Sequence, residues 1–206
     1  MKSRLRFTAP LLGLLALLAV AVGWAAQARA PEPTLYTVTD LGTLPGGSAS
    51  YAFDMNDAGV VAGSSTLSPD NANQHAVLWY GGRVTDLGTL GGPNSAAGGP
   101  NASLEAAVIS DTAQPDPNGE DFCFFGTHLQ CLAAVWRPDS RHPLSGSLTA
   151  LPALPGGNNS QAYGINNRGQ VVGFAENGTP DPTCITPSCG RGRQACRTSA
   201  RSRGTF

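Results

Sequence analysis

The sequence predicts an all-β fold: a propeller-like repeat of four-stranded antiparallel sheets, incomplete at about two and a half units. Three observations predict it. Charged residues make up only 13% of the 206-residue chain, while Gly (26) and Pro (16) are abundant; that balance suits many short strands joined by tight turns. Beyond the N-terminus no segment sustains a 3.6-residue apolar period, so long helices are not expected. And one stretch of strand-and-turn character recurs in register along the chain.

The repeat is explicit. Val38-Thr39-Asp40-Leu41-Gly42-Thr43-Leu44 returns as Val84-Thr85-Asp86-Leu87-Gly88-Thr89-Leu90, 46 residues on, and more weakly as Leu148-Thr149-Ala150-Leu151-Pro152-Ala153-Leu154, 64 residues further. The summed offset of 110 places Leu44-Pro45-Gly46-Gly47 on Leu154-Pro155-Gly156-Gly157. It also places Asn56-Asp57-Ala58-Gly59 on Asn166-Asn167-Arg168-Gly169, and Val61 and Gly63 on Val171 and Gly173. The units run over about 36–83, 84–147 and 148–184 within a repeat domain of 29–184.

Each element of the unit has a local reason. Tyr36 to Leu41 alternates and carries Thr and Val, so it reads as a strand. Gly46-Gly47 turns the chain into a second strand, Tyr51 to Met55. Asn56-Asp57-Ala58-Gly59 is a turn, with Gly59 suited to a left-handed conformation. Val60 to Ser65 is a third strand, Pro69 to Gln74 a polar loop, and His75 to Trp79 a fourth strand. Gly81-Gly82 is a tight hairpin turn into the next copy. Four strands per unit match a propeller blade, and one such sheet must stack on neighbours to bury its faces. Trp79 and Trp136 close equivalent strands and are expected to pack between sheets. The second unit is longer, with its excess around Pro115 to Gly126, which reads as a surface loop.

The pattern Thr-Asp-Leu-Gly-Thr-Leu-x-Gly-Gly, then Asn-Asp/Asn-x-Gly-x-Val-x-Gly, then His-Ala-x-Leu-Trp resembles the bacterial HAF repeat family over about residues 36–183. The His-Ala-Phe motif is degenerate here: His75-Ala76-Val77 in the first unit and Leu132-Ala133-Ala134 in the second. The resemblance implies an extracellular β-repeat and carries no catalytic residues. Two departures stand out: the number of units is small for a closed propeller, and the third unit does not reach a Trp strand.

The N-terminus reads as an export signal. Lys2, Arg4 and Arg6 precede an uncharged apolar run from Leu11 to Trp24, followed by small-x-small patterns at Ala26-Gln27-Ala28 and Ala28-Arg29-Ala30. Cleavage after Ala28 is preferred, because Pro31 would hinder it after Ala30, which makes 1–28 the signal peptide. The alternative is an uncleaved anchor. Either way the body is expected outside the cytoplasm: secreted, at the cell surface or in the periplasm. After cleavage no membrane attachment is expected.

Charge is segregated. Residues 31–190 hold all 14 acidic residues and four basic ones, Arg83, Arg137, Arg141 and Arg168, for a balance near −10. Such a body lacks the basic stripe that nucleic-acid binding needs. Residues 185–206 reverse the balance with five arginines; they are expected to form a disordered basic tail from a frameshifted or truncated reading frame.

Cys123 and Cys131 are placed to form a disulfide in an oxidising compartment, with little consequence for the fold. A zinc site with His128 lacks a fourth ligand. Asp54 to Gly59 resembles a calcium loop only faintly, and Asp116 to Asp121 is a denser acidic loop that reads as solvated. No metal or cofactor is expected. His75, His128 and His142 stand in no catalytic motif. The expected function is a non-catalytic binding or structural module for an extracellular ligand or protein, prone to self-association. The rival is a propeller-type hydrolase or lyase on extracellular polymers, which would require carboxylates such as Asp40, Asp54, Asp86 and Asp111 to converge in one cleft.

Overall fold

The structure is a computed structural model that describes residues 36–142 and 144–178 and the backbone of 193–199. The chain divides into two compact units, 1–39 and 40–206, and every strand belongs to the second. The expected signal peptide lies outside the described residues. Among those described there is no helix, and hence none long and apolar enough to cross a membrane.

All strands are antiparallel to their neighbours and follow chain order within three sheets. The first sheet holds β1 (Ser50–Met55), β2 (Val61–Thr66), β3 (Gln74–Tyr80) and β4 (Arg83–Gly88). The second holds β5 (Gly91–Pro100), β6 (Ala106–Pro115), β7 (Leu129–Pro138) and β8 (Gly146–Leu151). The third holds β9 (Ser160–Ile165), β10 (Gln170–Glu176) and β11 (Arg193–Ser199). Between β3 and β4 the two-residue turn uses Gly81 and Gly82 at φ 58° and 73°, the mirror-image turn whose twist matches the strands.

The sheets do not coincide with the repeat units. Tyr36 to Leu41, expected as a strand, forms none. Its copies explain why: Arg83–Gly88 and Gly146–Leu151 pair with β3 and β7, the strands before them. The segment is the closing strand of a preceding sheet, and no described strand precedes Tyr36. The tail expected to be disordered also differs, since Arg193–Ser199 lines the edge of β10 with Gly173 opposite Cys196. The exposed backbone donors and acceptors of β10 are thereby satisfied. β11 takes the place that β3 and β7 hold in the other sheets, so the third unit does reach its third strand, without a Trp.

Consecutive sheets stack face to face on small apolar residues. Val60, Ala62, Ala76 and Leu78 of the first sheet share a core with Ala97, Ala106, Val108, Ala134 and Trp136 of the second. The opposite face of the second sheet, Ala107, Ala133 and Val135, meets Ala162 and Val171 of the third. Each fully buried valine contributes about 1.5–3 kcal/mol. Trp136 packs between sheets as expected. Trp79 instead lies on the far face of the first sheet under Leu44, donating its indole N–H to Gly42 O at 3.2 Å.

Two sets of side-chain bonds fix how far each sheet slides on the next. Ser95 accepts from Ala76 N–H at 2.8 Å and donates to Gly88 O at 2.6 Å; Ser160 does the same to Ala133 and Leu151 at 3.0 and 3.1 Å. Asn56, Asn101 and Asn166 each begin an equivalent turn, and each accepts two backbone N–H groups on its own Oδ1. Asn56 Nδ2 then donates to Asn101 O at 2.9 Å, and Asn101 Nδ2 to Asn166 O at 3.2 Å.

β1, β5 and β9 thus run side by side, and β5 is squeezed between the other two. A Cβ on Gly98 would lie 2.1 Å from the backbone O of Tyr163, whereas one on Gly99 would meet only the end of the Asp54 side chain. Gly98→Ala is expected to cost about 1–3 kcal/mol, since main chain must part from main chain. Gly99→Ala is expected to cost less. Urea midpoints of the two variants check the order.

Candidate functional site

A cavity of about 520 Å³ opens where β1, β5 and β9 converge beneath the long β6–β7 loop. Strand irregularities aim its walls. In β1 the register steps from Ala52 to Asp54 across Phe53, and in β9 it steps from Ala162 to Gly164 across Tyr163. Bulges of this kind turn a side chain out of the pleat. Phe53 and Tyr163 are repeat equivalents that both line the cavity, with Gly98 at the matching position of β5. The glycine leaves the space that two aromatic rings border.

The roof comes from the loop. Phe125, Cys123, Ile109 and the small residues Ala96, Ala97 and Ala162 complete the apolar lining. Polar groups are few: the Asp54 carboxylate, whose Oδ1 accepts Met55 N–H at 2.8 Å, and Gln74. Few polar groups in an apolar, aromatic concavity are what small-ligand sites share.

The loop is not the plain surface loop expected of Pro115 to Gly126. Phe122 is 2% exposed and stacks its ring 5.4 Å from that of Phe174 in β10, which in turn lies 5.5 Å from the Tyr163 ring. Gln161 Nε2 donates to Phe122 O at 2.7 Å, and Asn159 Nδ2 to Asp116 Oδ2 at 2.6 Å. The Cys123–Cys131 disulfide is formed, and it ties the loop to β7, where Cys131 is fully buried. Ile109, Phe122, Cys123 and Cys131 make a small core of their own. Sequence alone hid this, because a Pro-, Asp- and Gly-rich stretch reads as solvated.

Other singled-out residues do not gather. Asp40 is exposed and accepts Gly42 N–H. Asp86 pairs with His75 at 2.9 Å on an outer strand; burial pushes its carboxyl up, but His75 and the Gly88 N–H outweigh that and hold it below its ordinary value. Asp111 is 1% exposed within β6, so the four carboxylates share no cleft. His128 Nδ1 lies 2.9 Å from Gly119 O, and no group of three metal-ligating side chains occurs among the described residues. Asp116 Oδ1 accepts Asn118 and Glu120 N–H groups, which makes the acidic loop a self-capped turn. Asp54 to Gly59 is the hairpin turn expected. Cys184 and Cys189 lie outside the described residues, and of Cys196 only the backbone is described.

Two expectations follow. The Cys123→Ser/Cys131→Ser double variant should keep its β-sheet circular dichroism but lose about 2–3 kcal/mol. It should also become sensitive to limited proteolysis between Asp116 and His128. Asp111 carries a pH dependence. Desolvation raises its carboxyl above the ordinary 3.8, against the hydrogen bonds from Thr127 Oγ1 (3.0 Å) and Asn94 Nδ2 (3.4 Å). A raised carboxyl opposes folding only when ionised. Its penalty is absent below 3.8 and is reached in full above the folded-state pKa. Asp111→Asn keeps an acceptor for Thr127, and denaturant midpoints should show a smaller fall between pH 4 and 7 than the parent.

No family model, no curated protein and no solved structure matches this chain.

Proposed function

We propose that the chain is an exported, non-catalytic binding module built from HAF-like repeats stacked as propeller blades, and that its ligand occupies the cavity between β1, β5 and β9. The observation that carries the reading is the pair of repeat-equivalent bulges that aim Phe53 and Tyr163 into one concavity. Propeller-like stacking is supported by the chain-order sheets and by first strands that lie side by side. Export is supported by the Lys2-to-Ala28 sequence pattern and by the Cys123–Cys131 disulfide, which persists in oxidising compartments.

The lining defines the ligand class. Aromatic faces favour a ring with an apolar side, and Asp54 and Gln74 supply a few hydrogen-bond partners. The acidic body and Asp54 disfavour anions. A neutral saccharide or a ring-bearing amine fits this set. The carboxylates that a hydrolase or lyase would place together are dispersed, and that favours binding over chemistry.

Calorimetric titration with neutral, cationic and anionic oligosaccharides checks the reading. Binding should favour the neutral or cationic members, and Phe53→Ala and Tyr163→Ala should each weaken it at least tenfold with the fold intact. Ligand turnover, or binding indifferent to both substitutions, would overturn it.

A further inference from the structure

The stack ends in two faces that the repeat itself marks as interfaces. Ala52, Ala97 and Ala162 are equivalent positions facing the preceding sheet; Ala97 and Ala162 are buried, while Ala52 on β1 is exposed. Ala62, Ala107 and Val172 are equivalent positions facing the following sheet. Ala62 and Ala107 are fully buried, while Val172 on β10 is 52% exposed. Within the chain Ala62 shares a core with Ala97, and Ala107 with Ala162. Val172 and Ala52 are the two halves of a third such core.

The pinning bonds end at the same places. Asn166 is last in the asparagine series, and its Nδ2 turns back to Gln170 Oε1 at 2.9 Å. Among the described residues the Asn56 carbonyl accepts its own turn's Gly59 N–H at 3.0 Å and receives no cross-sheet amide of the kind that Asn101 O and Asn166 O receive. Ser50 is the counterpart of Ser95 and Ser160 but makes no side-chain bond among the described residues. Its natural donor is the N–H of Ala195, which stands opposite Phe174 as Ala76 stands opposite Ser64. Among the described residues the third sheet has three strands, and Tyr36 to Leu41, whose copies close the other two sheets, pairs with none. Tyr36 and Val38, two apart as on one strand face, are 89% and 98% exposed.

From these complementary ends we infer that two copies of the chain close into a ring of six sheets. The β10 face of each covers the β1 face of the other, and Tyr36 to Leu41 of each adds the fourth strand beside β11 of its partner. The contact continues, between copies, the interface already formed twice within one copy. Head-to-tail contacts of this kind either close or grow into filaments. Closed propellers hold about four to eight blades, and two sets of the three described sheets make six, within that range. The inference rests on the propeller-like reading above.

Sedimentation of the full chain recovered after export tests it. The expected species has twice the chain mass, with nothing larger. Ala52→Arg and Val172→Arg should each abolish the closed ring, and Ala52→Arg/Val172→Glu should restore it. Hydrogen exchange supplies the second readout: amides of Val38 to Leu41 should be protected in the parent and exposed in Val172→Arg. Open-ended oligomers, or a dimer that survives both arginine substitutions, would overturn the ring. A monomer with exposed amides at Tyr36 to Leu41 would overturn the ring alone. A monomer with those amides protected would mean that the chain closes on itself, and would overturn the propeller-like reading as well.

Discussion

The structure depends on a polar bond where an apolar one would be expected. Asn56, Asn101 and Asn166 cap equivalent turns, and the spare amides of the first two each reach the carbonyl of the next. Alanine and valine faces can slide over one another at little cost, because apolar burial has no direction. A hydrogen bond between main chain and side chain does have one. With Ser95 and Ser160 bridging the far ends of the same strands, each sheet is held at two heights against its neighbour. That stagger brings β1, β5 and β9 together, and the cavity exists only because they meet.

The same logic explains why the site residues differ while the scaffold repeats. Ala52, Ala97 and Ala162 must be small for the sheets to approach. One position on, the bulge residues Phe53 and Tyr163 point elsewhere and are free to vary, whereas Gly98 between them must stay small against the Tyr163 backbone. Glu176 shows the converse. Fully buried, its Oε2 accepts the Asn158 and Asn159 N–H groups, as the Thr66 hydroxyl accepts those of Ser48 and Ala49. Two residue types that look unrelated in sequence perform one structural task.

Much of this was legible in the chain. The 46- and 110-residue offsets located the hairpins, the Asn turns at 56 and 166, and the strand of His75 to Trp79. The second Asn turn was hidden for two reasons. Leu90-Gly91-Gly92 is one residue shorter than Leu44-Pro45-Gly46-Gly47, so the offset falls to 45 beyond it. And Leu104 stands at φ 63° where Gly59 and Gly169 stand in the sister turns. A leucine in a left-handed position carries strain, offset here by its packing against the core between the first two sheets. The aromatic cavity was not legible, because bulges arise from pairing across strands and leave no mark within one. Nor was the parsing of sheets: Tyr36 to Leu41 reads as a strand but forms none, because its copies pair with the strand before them.

That last mismatch, between the unit of sequence and the unit of structure, bears on how such chains evolve. The second and third units open with the strand that completes the sheet behind them, and the first and second leave their own sheet for their successor to finish. Duplicating or losing a unit in the gene therefore never creates a new kind of junction. Sheets change in number while the two loose ends stay the same and remain complementary. Length can drift by whole units without any step that requires new contacts to be invented, and selection can act on the bulge and loop residues of each copy separately.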